Sequence, residues 1–241
     1  MSRRRTGRER LAVLVTCEHG GNHVPQRYAS LFAAHRDLLA SHRGYDAGSL
    51  AMARTLARTL DAGLIATTTT RLLVDLNRSI GHRALYSDVT RRLPRDERSR
   101  MIDDYYRPYR TAVEATIGHL AATGHRVLHV SAHSFTPELD GIARNADIGL
   151  LYDPSRAWER SICMQWQQAL RRADPELVVR RNYPYRGAAD GFTTALRREF
   201  GPTRYAGVEI EVNQRHPFGH EAGWRRLRRQ SAVALREVVE G

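Results

Sequence analysis

Val127-Leu128-His129-Val130-Ser131-Ala132-His133-Ser134-Phe135-Thr136-Pro137 is a short apolar run that turns polar at a histidine and closes on a proline. Working outward, Leu11–Val15 behaves alike near the start of the chain and leads into Thr16-Cys17-Glu18-His19-Gly20-Gly21-Asn22-His23-Val24-Pro25. Read as strands, these cover Val127–Ala132 and Leu11–Cys17, and Gly63–Thr67, Asp147–Tyr152, Leu177–Arg181 and Val208–Val212 have the same character. Longer helical patterns lie between them, at Ala47–Leu60, Arg95–Ala122, Arg156–Ala173, Phe192–Phe200 and Gly219–Val239. In Arg156–Ala173, Trp158, Ile162, Trp166 and Ala169 share one face, the mark of an amphipathic helix. Pro108 should kink or split Arg95–Ala122, because its ring removes a helical hydrogen bond. Strands alternating with helices predict an α/β fold, with a largely parallel sheet covered on both sides. The C-terminal strand ends of such a sheet form one rim, where ligands bind. His19 and His133 both fall on that rim.

The composition narrows the function. The 241 residues contain no Ser/Gly/Pro linker and no internal repeat, so one domain over residues 1–241 is expected, with residues 1–9 a basic, mobile tail. No apolar run approaches the roughly 18 residues of a membrane span, and no segment of signal-peptide type follows the basic start. A soluble, cytoplasmic protein with no membrane partner is the expectation. Cys17 and Cys163 are the only cysteines, too few for a disulfide framework or a thiolate zinc site. All 38 basic side chains are arginine, which excludes a Schiff-base lysine and a P-loop lysine. Arginine is then the only cationic grip for a carboxylate, which it can hold with two parallel hydrogen bonds. The net charge of +12 fits an anionic partner, and nucleic-acid binding is the alternative of another class. Against it, the arginine clusters at Arg3–Arg5, Arg91–Arg92 and Arg225–Arg229 are short and scattered.

Two imidazoles on one rim point to a metal site of the zinc type, which needs a third protein ligand and an open position. Asp46, just before the helix Ala47–Leu60, is the candidate; its ordinary alternative is a helix N-cap. Glu18 is the rival ligand, although neighbours on an extended strand point to opposite faces. Gly20 and Gly21 let the backbone turn after His19 and stay close to what the ring binds; His23 lies beyond that turn and ranks behind. Glu209 and Glu211 project to one face of a late strand. Glu211, nearer its C-terminal end, is the candidate general base, unless the pair is simply a solvated edge. Asn77, Arg78 and Arg144 are candidates for holding a substrate carboxylate, against the usual fate of arginine in structural ion pairs. Tyr105, Tyr106, Tyr183 and Tyr185 are candidate walls or core. The polar, aperiodic stretch Thr68–Leu93 reads as a functional loop.

Several of these stretches keep a recognisable order over about Leu11–Gln214: Cys17-Glu18-His19 with Asn22 and Pro25; Asp46 with Gly48; Arg71-Leu72 with Asp75-Leu76-Asn77-Arg78; His133-Ser134-Phe135-Thr136-Pro137; Gly141 with Arg144; Asn182 with Pro184-Tyr185; and Glu209-Ile210-Glu211. In this ordered set the chain resembles the N-formylglutamate amidohydrolase family. The resemblance implies a phosphorylase/hydrolase-like fold, a three-layer α/β/α sandwich with a mixed, mainly parallel sheet, similar to zinc carboxypeptidases and cell-wall zinc amidases. It implies Zn2+, or another divalent metal, held by His19, Asp46 and His133, with Glu211 as the catalytic glutamate. Arg78 and Arg144 become carboxylate grips. The implied reaction is zinc-dependent hydrolysis of the amide bond of a small N-acyl amino acid such as N-formylglutamate; a peptide or cell-wall amide is the alternative substrate. The chain departs from the family at Arg197-Arg198, where relatives often carry a histidine.

Overall fold

Alternation along three long strands decides the layering. The computed structural model describes residues 10–241, and the basic tail expected at residues 1–9 lies outside them. In chain order the elements are β1 (Arg10–Cys17), 3-10 turns at Gln26–Tyr28 and Ser30–Phe32, α1 (Arg36–Ala40), α2 (Ser49–Thr59), β2 (Gly63–Ala66), α3 (Arg95–Met101), a π turn (Ile102–Tyr106), α4 (Arg107–Ala122) and β3 (His125–Phe135). A small hairpin, β4 (Glu138–Leu139) and β5 (Ile142–Ala143), precedes β6 (Ile148–Leu151), α5 (Ala157–Ala173), β7 (Val179–Arg181), α6 (Phe192–Glu199), β8 (Tyr205–Asn213) and α7 (Glu221–Glu240). The six-stranded sheet has the order β2-β1-β3-β8-β6-β7. β2, β1, β3 and β8 run parallel, β6 runs antiparallel to β8, and β7 is parallel to β6.

On one side of the sheet Val15, Cys17, Leu128, Val130, Ala132, Val208, Ile210 and Val212 pack with Met52, Leu56, Trp166, Leu227 and Leu235 of α2, α5 and α7. On the other side Leu14, Val127 and Tyr205 pack with Val113 and Ile117 of α4 and Phe192 and Leu196 of α6. The result is the mixed, mainly parallel α/β/α sandwich that the alternation of elements predicts. Each fully buried Leu, Val or Phe contributes roughly 1.5–3 kcal/mol. The indole of Trp166 satisfies its one donor on Ser231 O at 3.0 Å. Among the described residues no helix is long and apolar enough to cross a membrane.

Several elements differ from the sequence reading: α1 and the hairpin β4–β5 were not expected, β7 is shorter, and β8 extends beyond Val208–Val212 at both ends. Arg95–Ala122 does not split at Pro108; a single π turn just before it, with Arg107 N–H donating to Ile102 O, absorbs the hydrogen bond that proline cannot make. β3 is longer than expected at both ends, because β1 pairs with it from His125 and β8 as far as Phe135. The stretch Thr68–Leu93 holds no helix or long strand, yet Leu72, Leu73, Val74, Leu76 and Leu85 are buried in the second core. It is a packed arm rather than a loose loop.

β1 and β3 are neighbours whose chains leave in opposite directions across the sheet, β1 toward β2 and β3 toward β6 and β8. The crevice beyond their C-terminal ends is where an open α/β sheet binds ligands.

Candidate active site

At that crevice His19, Asp46 and His133 come together, each buried, with one donor atom apiece inside 4.8 Å of the others. The two imidazole centroids are 5.0 Å apart. Asp46 Oδ2 is 2.9 Å from His133 Nδ1 and 3.3 Å from His19 Nδ1. Local geometry brings them there. The Asp46 N–H donates to His19 O at 3.0 Å, which ties the segment before α2 to the loop after β1. The N-cap of α2 is Gly48 with φ +83, not Asp46, so the carboxylate is released from capping and turns to the histidines. Gly20 and Gly21 serve close packing rather than a positive-φ turn. A Cβ at Gly20 would stand 2.7 Å from Thr67 O, and one at Gly21 2.8 Å from Thr68 Cβ.

The far side of each ring faces a carboxylate. His19 Nε2 lies 2.8 Å from Asp75 Oδ1, and an ionised carboxylate only accepts, so that nitrogen carries the proton. Behind His133, Ser131 Oγ donates to Glu18 Oε2 at 2.5 Å, and Tyr109 OH donates to Glu18 Oε1 at 2.9 Å. His133 Nε2 sits 2.9 Å from Ser131 Oγ and 3.2 Å from Glu18 Oε2. With the serine proton spent on Glu18, both groups accept, and Nε2 is again the donor. Both Nδ1 atoms then offer lone pairs toward Asp46 Oδ2, and a cation or a proton must lie between them. This is a donor set that suits a divalent metal.

Charge follows the same pattern. Burial would lift the Asp46 and Asp75 carboxyls, but His19, His133 and Arg71 around Asp46, and Arg71 and His19 around Asp75, hold both below the usual carboxylate range. Burial likewise opposes ionisation of Glu18, and His133 with Ser131 overcomes it. Burial disfavours a charged His133, yet its hydrogen bonds to Asp46 and Glu18 push its pKa well up. Arg71 spans the pair of aspartates, with Nη1 on Asp46 Oδ1 at 3.2 Å and Nη2 on Asp75 Oδ2 at 2.8 Å. It occupies Asp46 Oδ1 and leaves Oδ2 to face the imidazoles.

Glu211 stands beside His133 across the β3–β8 register. It is buried, and its Oε2 has no hydrogen-bond partner among the described residues. Burial, reinforced by Asp46 and Glu209 and opposed by His133, lifts its pKa to about 8. Glu209, two residues back, is engaged instead by Thr193 Oγ1 at 2.5 Å. Of the two glutamates on this face, Glu211 is the one with an oxygen to spare. The cleft above has a volume of about 750 Å³ and takes in His19, Asp46, Asp75, His133, Glu209 and Glu211 at its floor.

The structure brings His19, Asp46, His133 and Glu211 together and sets Glu18, the rival ligand, behind His133 rather than beside Asp46 Oδ2. Asn77 and Arg78 line the cleft. Asn77 Oδ1 accepts the Phe192 N–H at 2.6 Å, which fixes the amide orientation and leaves Nδ2 3.5 Å from His133 Nε2. Two donors do not bond to each other at that distance, and Asn77 is among the residues that line the cleft. Arg78 Nη1 donates to Asp190 O at 2.8 Å. Arg144 lies at the rim, its guanidinium 5.2 Å from the centre of the Tyr185 ring and donating to Tyr185 OH at 3.1 Å. Tyr185 lines the cleft, whereas Tyr105 and Tyr106 pack in or against the second core and Tyr183 lies by a separate groove. His23 is exposed. Arg197, read in the sequence as a departure from the family's pattern, is a buried strut: its Nε donates to Glu159 Oε1 at 3.0 Å, and its Nη atoms to Gly187 O at 2.6 Å and Gly207 O at 2.7 Å. Sequence reasoning missed the site roles of Arg71 and Asp75; the stretch is not helical, so their spacing gave no signal that they pair.

Residues 11–216 match the family described as N-formylglutamate amidohydrolase. Among solved structures, a gene product of Agrobacterium tumefaciens is similar at a TM-score of 0.78 and 30% identity, over 95% of this chain and 92% of that one. The N-formylglutamate amidohydrolase of Ralstonia eutropha JMP134 is similar at a TM-score of 0.70 and 21% identity, over 97% of this chain and 94% of that one, a likeness of fold. Among curated proteins none matches the chain. A family match over most of the length, on a fold whose strand ends gather two imidazoles, an aspartate and an unpartnered glutamate, makes this chain an amidohydrolase that belongs to the N-formylglutamate amidohydrolase family.

Proposed function

We propose that this chain, acting as one catalytic domain, is a zinc-dependent hydrolase that cleaves the amide bond of a small N-acyl amino acid such as N-formylglutamate. The observation that carries the reading is the convergence of His19 Nδ1, His133 Nδ1 and Asp46 Oδ2 beside the unpartnered Oε2 of Glu211. Two imidazoles and one carboxylate are a donor set that zinc accepts with a position left open. When bound, the metal supplies a Lewis acid that polarises the scissile carbonyl and acidifies water. A cation beside Glu211 would offset the burial that keeps its carboxyl protonated, and the ionised Oε2 would then take a proton from the attacking water and pass it to the departing amine. Arg78 at the cleft wall and Arg144 at the rim hold the substrate carboxylate, and Asn77 Nδ2 donates to the acyl-amide portion. Together they fix the amide in a reactive position.

The test is a panel of N-formyl and N-acetyl amino acids, run beside muropeptides, on purified protein with its metal content measured. Hydrolysis of an acidic N-acyl amino acid, lost on chelation and restored by zinc, is the expected result. Activity confined to muropeptides would move the substrate to cell-wall amides. A metal-free protein that binds DNA with steep salt dependence and hydrolyses nothing would return the nucleic-acid reading.

A further inference from the structure

Each of the three residues that converge has a second polar atom, and in every case that atom is engaged by a neighbouring side chain. His19 Nε2 meets Asp75 Oδ1 at 2.8 Å, His133 Nε2 meets Ser131 Oγ at 2.9 Å and Glu18 Oε2 at 3.2 Å, and Asp46 Oδ1 meets Arg71 Nη1 at 3.2 Å. We propose that Glu18 and Asp75 are positioning residues that commit His133 and His19 to presenting Nδ1, not Nε2, to the metal. The inference rests on the metal reading above and adds to it which ring nitrogen binds and what enforces the choice.

An imidazole can ligate through either nitrogen, and the hydrogen bond at the other decides which. A half-turn of either ring exchanges Nδ1 with Cδ2 and Nε2 with Cε1, so it would take the ring N–H away from Asp75, or from Ser131 and Glu18, and put carbon in its place. Glu18 cannot give way, because its own oxygens are held by Ser131 and Tyr109 at 2.5 and 2.9 Å, and the residue is 1% exposed. Asp75 is held by the two nitrogens of Arg71, Nε at 3.2 Å and Nη2 at 2.8 Å, and accepts the Asn77 N–H on Oδ1 at 2.9 Å. Tyr109 comes from α4 and Ser131 from β3, so the His133 support is anchored in the sheet and in the helix packed on it. The His19 support hangs on the Thr68–Leu93 arm. That arm thus has a function in the reading: it carries Asp75 and Arg71 to the back of the site.

The experiment uses the full chain and zinc alone as the probe. Zinc affinity is measured by competition with a chromogenic chelator for the wild type, Glu18→Gln and Asp75→Asn, and the zinc-loaded wild type is examined by long-range 1H–15N NMR of its histidines. Each variant should bind zinc about 10–100-fold more weakly, with a larger loss in affinity than in kcat at saturating zinc. Both wild-type rings should show a protonated Nε2 and a zinc-shifted Nδ1. A zinc-shifted Nε2 on either ring would overturn the inference, as would wild-type affinity in both variants, and either result leaves the hydrolase reading standing. A wild type that binds no zinc would overturn both. The NMR result needs no variant and therefore decides even if a substitution prevents folding.

Discussion

The two faces of β1, β3 and β8 carry different duties on the same three strands. Toward α2, α5 and α7 stand Val15, Cys17, Leu128, Val130, Ala132, Val208, Ile210 and Val212. On the other face, toward α4, α6 and, at the strand ends, the cleft, stand Thr16, His129, Ser131, His133, Glu209 and Glu211, all buried. Because side chains alternate every residue along a strand, neighbours in sequence share a backbone but not an environment. The apolar face is held by burial alone. The polar face is tolerable only because nearly every group finds a partner: Thr16 and Tyr205 flank His129 at 2.8 Å each, Ser131 reaches Glu18, and Thr193 reaches Glu209. A buried polar atom left unpaired costs about 1–3 kcal/mol. Glu211 Oε2, which has no partner among the described residues, is the place on this face where that cost is borne next to the histidines.

The comparison breaks most visibly at Glu211. Glu211→Gln keeps the shape and removes the base, so kcat should fall about 10²–10⁴-fold while zinc binding and thermal stability hold; a steady-state assay beside a melting curve reads both. A variant with near-wild-type kcat would make the two faces functionally alike.

Leu128→Ala, on the opposite face of β3 and fully buried, should do the reverse. It should lose about 2–5 kcal/mol of stability in a denaturant titration, with activity per folded molecule within a few-fold of wild type. A large loss of kcat without unfolding would show that the faces are mechanically coupled.

The smallest effect sharpens the boundary between core and site, at His129. Burial holds this ring near pKa 4, below its ordinary 6.5, against the opposing pull of Glu18. The unfolded chain therefore takes up the proton first. Stability from a neutral His129 is complete above about pH 6.5 and drains away as the pH falls toward about 4, by roughly 3 kcal/mol at most. The stability difference between wild type and His129→Gln should narrow across that window; a difference that stays constant with pH would show that His129 is not held neutral.

Much of this was legible before any coordinates. The alternation in Val127–Phe135 placed His133 opposite Val130 and Ala132, and the chain's order of strands and helices led to the sandwich. Asp46 and Glu211 were legible as residue types at the right ends of elements. What escaped was whatever depends on residues far apart in the chain. That Glu18 backs His133 rather than joining Asp46 follows from Tyr109 on α4 and Ser131 on β3, neither of which announces a carboxylate partner in the sequence. That Arg71 and Asp75 belong to the site depends on a stretch whose lack of periodicity hid its buried leucines. That Arg144 stands against Tyr185 follows from the hairpin β4–β5, which leads directly into it. Arg197 became a strut because Glu159 lies across from it on α5.

By itself, the sequence determined the period of each segment, hence which residues share a face, and the residue types available for chemistry: arginine without lysine, histidine and carboxylate without a cysteine pair. Periodicity is a local property, and local backbone geometry suffices to express it. Only the tertiary structure decided which atoms of those residues face one another. Pairings such as His19 with Asp75 and His133 with Ser131 and Glu18 arise from strand order and from the packing of α4 and the Thr68–Leu93 arm, which sum over the whole chain.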